Sequence, residues 1–168
     1  MHYLAYGSNL HPIRLIDRVP GARLAGTTAL IGYRLTFHKR SVDGSAKCNL
    51  DDTDDSTDIA YAAVYSLPED EVHLLDKAEG LGNGYFKREL RVELRGLSLK
   101  PFSYFASDTH LSPDLQPYHW YKGLVLAGAC KHQFPEHYVK KIAAIAAKYD
   151  LNIDRRKKME YLLARLKD

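Results

Sequence analysis

Two short stretches carry residue types that could do chemistry. The first is Tyr6-Gly7-Ser8-Asn9-Leu10, directly after an apolar N-terminal run. Gly7 permits a sharp turn, and Ser8 and Asn9 tolerate unusual dihedrals. Successive main-chain N–H groups in such a loop, just ahead of a helix, would converge on one spot and cradle an anion or oxyanion. The second is Glu79, the last residue before Gly80 in Leu75-Asp76-Lys77-Ala78-Glu79-Gly80. A carboxylate at a helix C-terminus faces the negative end of the dipole, and partial burial adds to the preference for its protonated form. That is the condition of a general base working near neutral pH, with Asp76 as the alternative carboxylate. Tyrosines are numerous, 12 in 168 residues, and Tyr85, Tyr104, Tyr118 and Tyr121 fall on the elements after Glu79. Their apolar rings with polar tips suit a pocket for a small polar substrate.

The elements that must position these groups can be read from periodicity and punctuation. His2 to Tyr6 is a short strand, and His11 to Asp17 a short helix stopped before Pro20-Gly21. Residues 22–38 read as one long strand bent at Gly32, with a short strand about Cys48 to Leu50 after the turn at 39–45. The aspartate-rich segment 51–58 lacks the glycine and glutamate of a calcium loop and reads as a solvated hairpin loop. Ile59 to Leu67 is a strand, and Ser66-Leu67-Pro68-Glu69 has capping-box spacing ahead of a helix that Gly80 would end. A hairpin of strands 85–95 and 97–107 turns at Gly96, and helices follow at 118–131, 135–149 and 154–166. Strands first and helices last argue an α+β fold: a small mixed or antiparallel, β-barrel-like sheet with flanking helices. The length fits a single domain over 1–168 with a basic helical tail from about residue 150.

Composition narrows the function classes. Hydrophobic residues at 45% and charged ones at 27% describe a globular chain, with no apolar run able to span a bilayer and no export signal. Cys48 and Cys130 lack metal-type spacing and read as free thiols of a reducing compartment, which makes the expected location cytoplasmic. The last 38 residues hold 10 basic against 5 acidic side chains, including Arg155, Arg156, Lys157 and Lys158. Without a nucleic-acid motif this reads as a solvated helix face, so no nucleic-acid or membrane partner is expected. The eight histidines form neither HxH nor HExxH, and GxSxG, GxGxxG before a helix and Walker sequences are missing. Zinc, serine-nucleophile and nucleotide chemistry therefore have no motif to rest on.

Taken in order, Tyr6-Gly7-Ser8-Asn9-Leu10, Gly32-Tyr33-Arg34-Leu35-Thr36-Phe37, Asp43-Gly44-Ser45, Leu75–Gly80, Gly84-Tyr85 and Tyr121–Ala129 resemble the γ-glutamylcyclotransferase family. The resemblance runs from about residue 3 to 147 and implies release of the γ-glutamyl group of a small-molecule amide as 5-oxoproline. It implies no metal and no organic cofactor. It assigns the glutamyl-holding loop to Tyr6, Gly7, Ser8, Asn9 and Leu10, and the catalytic carboxylate to Glu79. Pocket tyrosines match Tyr85, Tyr104 and Tyr121, the first with the Gly80–Tyr85 loop one residue shorter than in the family. The alternative is a non-catalytic relative that binds a γ-glutamyl compound or a small amine. The leaving group and the choice between monomer and homodimer stay open at this level.

Overall fold

The computed structural model describes residues 1–166; Lys167 and Asp168, the end of the basic tail, lie outside the described residues. The chain runs through β1 (His2–Ala5), α1 (Pro12–Ile16), β2 (Arg23–Ile31), β3 (Tyr33–Arg40), β4 (Ala46–Asp52), β5 (Ile59–Ser66) and α2 (Val72–Glu79). Then come β6 (Tyr85–Glu89), β7 (Val92–Leu94), β8 (Leu97–Leu99) and β9 (Phe102–Ala106), followed by α3 (His119–Lys131), α4 (Glu136–Ala144) and α5 (Ile153–Arg165).

β1 is the middle strand of a five-stranded sheet ordered β2-β5-β1-β9-β6. It runs parallel to β9 and antiparallel to β5, so the sheet is mixed. The α+β class holds, but the barrel does not close: β2 and β6 are free edges of this sheet, and β3–β4 and β7–β8 form separate two-stranded hairpins. The long strand expected over 22–38 is two strands in different sheets, because the chain turns at Gly32 and β3 leaves to pair with β4. For the same reason the aspartate-rich loop is no hairpin loop; it carries the chain from the β3–β4 hairpin back to the main sheet. The 85–107 hairpin is likewise interrupted: β6 pairs with β9, and β7–β8 makes its own tip at Gly96.

β5 is buried on both faces from Ala62 to Tyr65, and with Leu4, Ala5, Leu15, Leu75, Leu124 and Val125 it forms the centre of the core. The capping box at Ser66 does not form. Pro68 starts a 3-10 turn with no side-chain cap, and α2 follows it. The helix stop is as expected: Gly80 sits at φ 66°, ψ 48°, the left-handed conformation that costs glycine nothing. The helix expected to reach Tyr149 ends at Ala144.

The basic tail is partly internal structure. Asp150, with its side chain fully buried, accepts from Trp120 Nε1 at 2.9 Å and from Arg155 Nε at 2.5 Å, and Arg156 donates to its carbonyl at 2.9 Å. Hydrogen bonds from Arg155, then from Trp120 and the Asn152 amide, hold the Asp150 carboxyl far below the usual carboxylate range against the opposing effect of burial. A depressed folded value means stability that is present above the unfolded value, about 3.9, and lost as pH falls below it. Asp150→Asn is therefore expected to lower the unfolding free energy at pH 7 by about 2–3 kcal/mol. Urea titrations should show that gap narrowing as pH drops below about 4.

Candidate active site

The parallel pairing of β1 with β9 and the antiparallel pairing with β5 bring the end of β1 to the foot of α2. Tyr6, Gly7, Ser8 and Asn9 turn here, closed by a hydrogen bond from the Leu10 amide to the Gly7 carbonyl at 3.0 Å. Gly7 is not in the left-handed region. Its need is space: a Cβ there would lie 3.1 Å from Cys48 Cβ on β4, tighter than ordinary contact. Among the described residues the N–H groups of Ser8 and Asn9 donate to no main-chain or side-chain acceptor. Ser8 and Asn9 are nevertheless buried, at 8% and 2% exposure.

Glu79 faces this turn across 70 residues of sequence, accepting from Asn9 Nδ2 at 2.9 Å. Arg18, which follows α1, donates to the same oxygen, Oε1, at 2.5 Å and to Asn9 Oδ1 at 2.9 Å. Asn9 also donates to the Tyr3 hydroxyl at 3.1 Å. Tyr3, Asn9, Arg18 and Glu79 thus form one closed network in which each polar group restrains the next. Glu79 Oε2 carries no hydrogen bond from the described residues. The sequence reading had Glu79 disfavoured as an anion by burial and the helix end; it missed Arg18, whose guanidinium supplies the opposing charge.

A small chamber of about 20 Å³, room for about one water, is bounded by Gly7, Ser8, Asn9, Cys48, Glu79 and five tyrosines. The tyrosines are the expected Tyr6, Tyr85, Tyr104 and Tyr121, with Tyr3 added. Most of their polar tips are engaged inside the protein. Tyr85 donates to the Cys48 carbonyl at 2.6 Å, Tyr104 to Asp76 Oδ1 at 2.6 Å, and Tyr6 to the Tyr104 carbonyl. Tyr121 Oη accepts from the Cys48 amide at 3.0 Å. Burial pushes all five phenols up, so they remain neutral walls rather than bases. Asp76, the alternative carboxylate, is committed to Tyr104 and to Lys87 at 2.8 Å.

Two assignments need correction. Leu10 does not face the chamber; it is fully buried, and its carbonyl is capped by Tyr65 Oη at 2.6 Å, which turns it toward β5 and α3. Tyr118 lies elsewhere too, donating to the Asp43 carbonyl at 2.8 Å. Cys48, overlooked as a wall residue, belongs to the chamber because β4 packs on β9, where Asn49 Oδ1 accepts from the Ala106 amide at 2.8 Å.

A second, outer chamber of about 130 Å³ shares Ser8, Glu79, Tyr85 and Tyr121 with the first and adds Arg18, Lys39, Ser41, Lys47 and Ala78. Lys47 pairs with Asp43 at 2.8 Å. Lys39, 6% exposed, touches only the Asn83 carbonyl at 3.4 Å and the face of the Tyr85 ring at 4.5 Å. Burial, then Lys47, draws Lys39 below the ordinary ammonium value, opposed by Glu79 and Asp43. Among the described residues, no cluster of three His, Cys, Asp or Glu side chains is placed to hold a metal, and no helix is long and apolar enough to cross a membrane.

An α+β sheet whose central strand ends in a glycine turn against a helix-terminal glutamate is the arrangement that the γ-glutamylcyclotransferase resemblance implies. Comparison with known proteins bears that resemblance out. Residues 60–142 match the model of the AIG2-like family. Gamma-glutamylcyclotransferase of Mus musculus is 28% identical over 152 residues, covering 85% of this chain and 77% of that one. A solved structure of a gamma-glutamyl cyclotransferase superposes with a TM-score of 0.83 over 98% of both chains at 23% identity. An uncharacterised protein from Homo sapiens superposes at 0.82 over 97% of both, at 24% identity. These two structures share the fold.

The chamber's thiol gives a direct check on this geometry. Burial pushes Cys48 up to about 12, against the weaker lowering by Tyr121, whereas Cys130 is exposed. At pH 8 about one Cys48 in ten thousand would be thiolate. Iodoacetamide is expected to modify only Cys130 in the native protein and both cysteines in denaturant. Intact-mass spectrometry reads this directly, and rapid native labelling of Cys48 would contradict the closed chamber.

Proposed function

We propose that this protein is a γ-glutamyl cyclotransferase that releases 5-oxoproline from a γ-glutamyl amide, with Glu79 as proton shuttle. The observation that carries the reading is the division of labour on Glu79. Oε1 is fixed by Asn9 and Arg18, while Oε2 takes no hydrogen bond from the described residues. The chamber that Glu79 lines also carries Ser8 and Asn9, whose N–H groups donate to no acceptor among those residues.

The substrate brings its own nucleophile. Its α-ammonium gives a proton to Glu79 Oε2, and the freed amine attacks the γ-carbonyl to close a five-membered ring. Glu79 gives that proton to the departing nitrogen and takes the second proton of the ring nitrogen. With these transfers the tetrahedral centre collapses, the bond to the departing amine breaks, and the amine finally leaves with that second proton as an ammonium. One carboxyl group thus serves both steps, and no protein nucleophile is required. The neutral Cys48 thiol and phenols are consistent with that.

Holding the substrate bent back on itself is the larger task, since a correctly positioned intramolecular attack can supply roughly 7–11 kcal/mol of the barrier. The tyrosine walls, fixed by their own hydrogen bonds, suit that task. The Ser8 and Asn9 amides are available to a negative oxygen, either the α-carboxylate or the developing oxyanion. The free thiols fit a cytoplasmic enzyme acting on a small γ-glutamyl metabolite, as monomer or homodimer and without nucleic acid or membrane.

Glu79→Gln keeps the size of the side chain and an acceptor for Arg18 but cannot take a proton. It is expected to lower kcat/KM for 5-oxoproline formation by about 10²- to 10⁴-fold. Mass-spectrometric assay over a panel of γ-glutamyl amides measures it. Undiminished turnover by the variant overturns the shuttle. Thermal stabilisation by 5-oxoproline without turnover of any amide would instead identify a non-catalytic binder.

A further inference from the structure

The basic C-terminal segment touches more than its own neighbours. β3–β4 stands outside the main sheet, and a two-stranded hairpin is marginal alone, so what its tip rests on decides where its side chains lie. That position matters, because the hairpin and its tip bring Lys39, Ser41, Lys47 and Cys48 to the two chambers. The turn of residues 41–45 closes itself with main-chain bonds from Ser41 to Ser45 and from Gly44 to Ser41, both at 3.0 Å. Its apolar side chain gives no anchor, since Val42 is fully exposed. The hold comes from residues more than 70 positions away. Tyr118 Oη donates to the Asp43 carbonyl at 2.8 Å, and Lys148 Nζ to the next carbonyl, that of Gly44, at 2.9 Å. The Ala46 amide donates to the Gln116 carbonyl at 3.0 Å.

These anchors are themselves braced. Arg155 Nη2 donates to the Tyr118 hydroxyl at 3.3 Å, and its guanidinium lies 5.1 Å from the centre of that ring. The buried Asp150 carboxylate in turn holds Arg155 at Nε and Nη2, at 2.5 and 2.6 Å. Main-chain bonds from Lys148 to Pro117 and from His119 to Lys148, at 3.0 and 2.9 Å, clamp Lys148 beside Tyr118. Within the hairpin, the Asp43 carboxylate accepts from Ser45 Oγ at 2.7 Å and from Lys47 Nζ at 2.8 Å. One chain of contacts therefore runs from Asp150 through Arg155, Tyr118 and Asp43 to Lys47 on the outer chamber wall. A turn that already closes on itself needs none of this for its own conformation. We propose that Tyr118 and Lys148 are positioning residues and that segment 148–155 is a strap, which holds the 41–45 turn, and with it Ser41 and Lys47, in place at the active site. The strap stands on the contacts alone; its catalytic consequence rests on the cyclotransferase reading above.

The test follows hydrogen exchange of the 41–47 segment by mass spectrometry in the wild type, Tyr118→Phe, Lys148→Met and the double variant. Lys148→Arg keeps a donor for Gly44, and Arg165→Ala is the control, since Arg165 ties the far end of α5 to Asp17 at 3.0 Å. Each lost hydrogen bond is expected to speed exchange about 2- to 10-fold, and the double variant about 10- to 100-fold. Lys148→Arg and Arg165→Ala should exchange as the wild type does. Turnover of whichever γ-glutamyl amide the wild type uses best then separates position from stability. In the double variant KM is expected to rise about 3- to 10-fold with kcat changed by less than about 2-fold, because Glu79 is untouched. Unchanged exchange at 41–47 in the folded single variants, or equal acceleration in Arg165→Ala, overturns the strap. Faster exchange with an unchanged KM overturns the positioning role. Should the wild type form no 5-oxoproline from any amide, the cyclotransferase reading falls and the catalytic consequence with it, while exchange still decides the strap.

Discussion

The site depends on one electrostatic constraint: a largely buried carboxylate at the carbonyl end of a helix must find positive charge elsewhere. Glu79 closes α2, where the helix dipole disfavours an anion by about 0.3–1 kcal/mol and burial adds to the penalty. A hydrogen bond to a charged group contributes about 1.5–3 kcal/mol, and Glu79 Oε1 receives two, from Arg18 and Asn9. The consequence reaches beyond Glu79, because both donors come from the first 18 residues and the acceptor from position 79. The same network that pairs the carboxylate therefore ties α2 to the turn after β1, and with Tyr3 it fixes the Asn9 amide in one orientation.

The sheet makes that knot possible, and the aromatic walls hold it in shape. β1 lies between β5 and β9, so the segment leaving its end is confined on both sides. α2 hangs between β5 and β6, and its foot is led to the turn by the left-handed Gly80. Tyr104 comes from β9, Tyr85 from β6, Tyr121 from α3 and Cys48 from β4, so the chamber samples four further elements. Their hydroxyls bond to carbonyls, an amide and Asp76 instead of pointing free into the cavity. A wall so restrained loses little entropy when a ligand arrives, which is what preorganised binding requires.

Much of this was legible in the sequence, and the gaps have physical reasons. The YGSN turn, Glu79 before its glycine and three of the tyrosines are local patterns, and the structure brings them into one chamber. Arg18 was not legible, since an arginine after a five-residue helix has no local signature of its partner 61 residues away. Leu10 was misplaced because it is contiguous with the turn. Sequence adjacency does not reveal that Tyr65 and α3 draw its carbonyl to the opposite side. The split of residues 22–38 at Gly32 reads as a bend because strand-like apolar residues lie on both sides of that glycine, and pairing partners are a long-range property. The capping box at Ser66 failed because Pro68 led the chain into a 3-10 turn in place of the first helical turn.

The distribution of charge between the two chambers follows from the same reasoning. Sequences that specify one structure satisfy their local rules nearly everywhere, and departures concentrate where function demands them. Asp150, Asp43 and Asp76 each sit among matched donors, so their burial is explained by the fold itself. Lys39 is different: its strand partner is another lysine and its contact with Asn83 is long. Glu79 is different in the complementary sense, with one oxygen saturated and the other open. The two exceptions line the same outer chamber, with opposite sign. An open carboxylate oxygen suits an ammonium, and an unpaired ammonium suits a carboxylate. The fold thus leaves one open acceptor and one cation without a carboxylate partner among the described residues on the wall of the same chamber, a departure from local satisfaction that marks it out from the rest of the molecule.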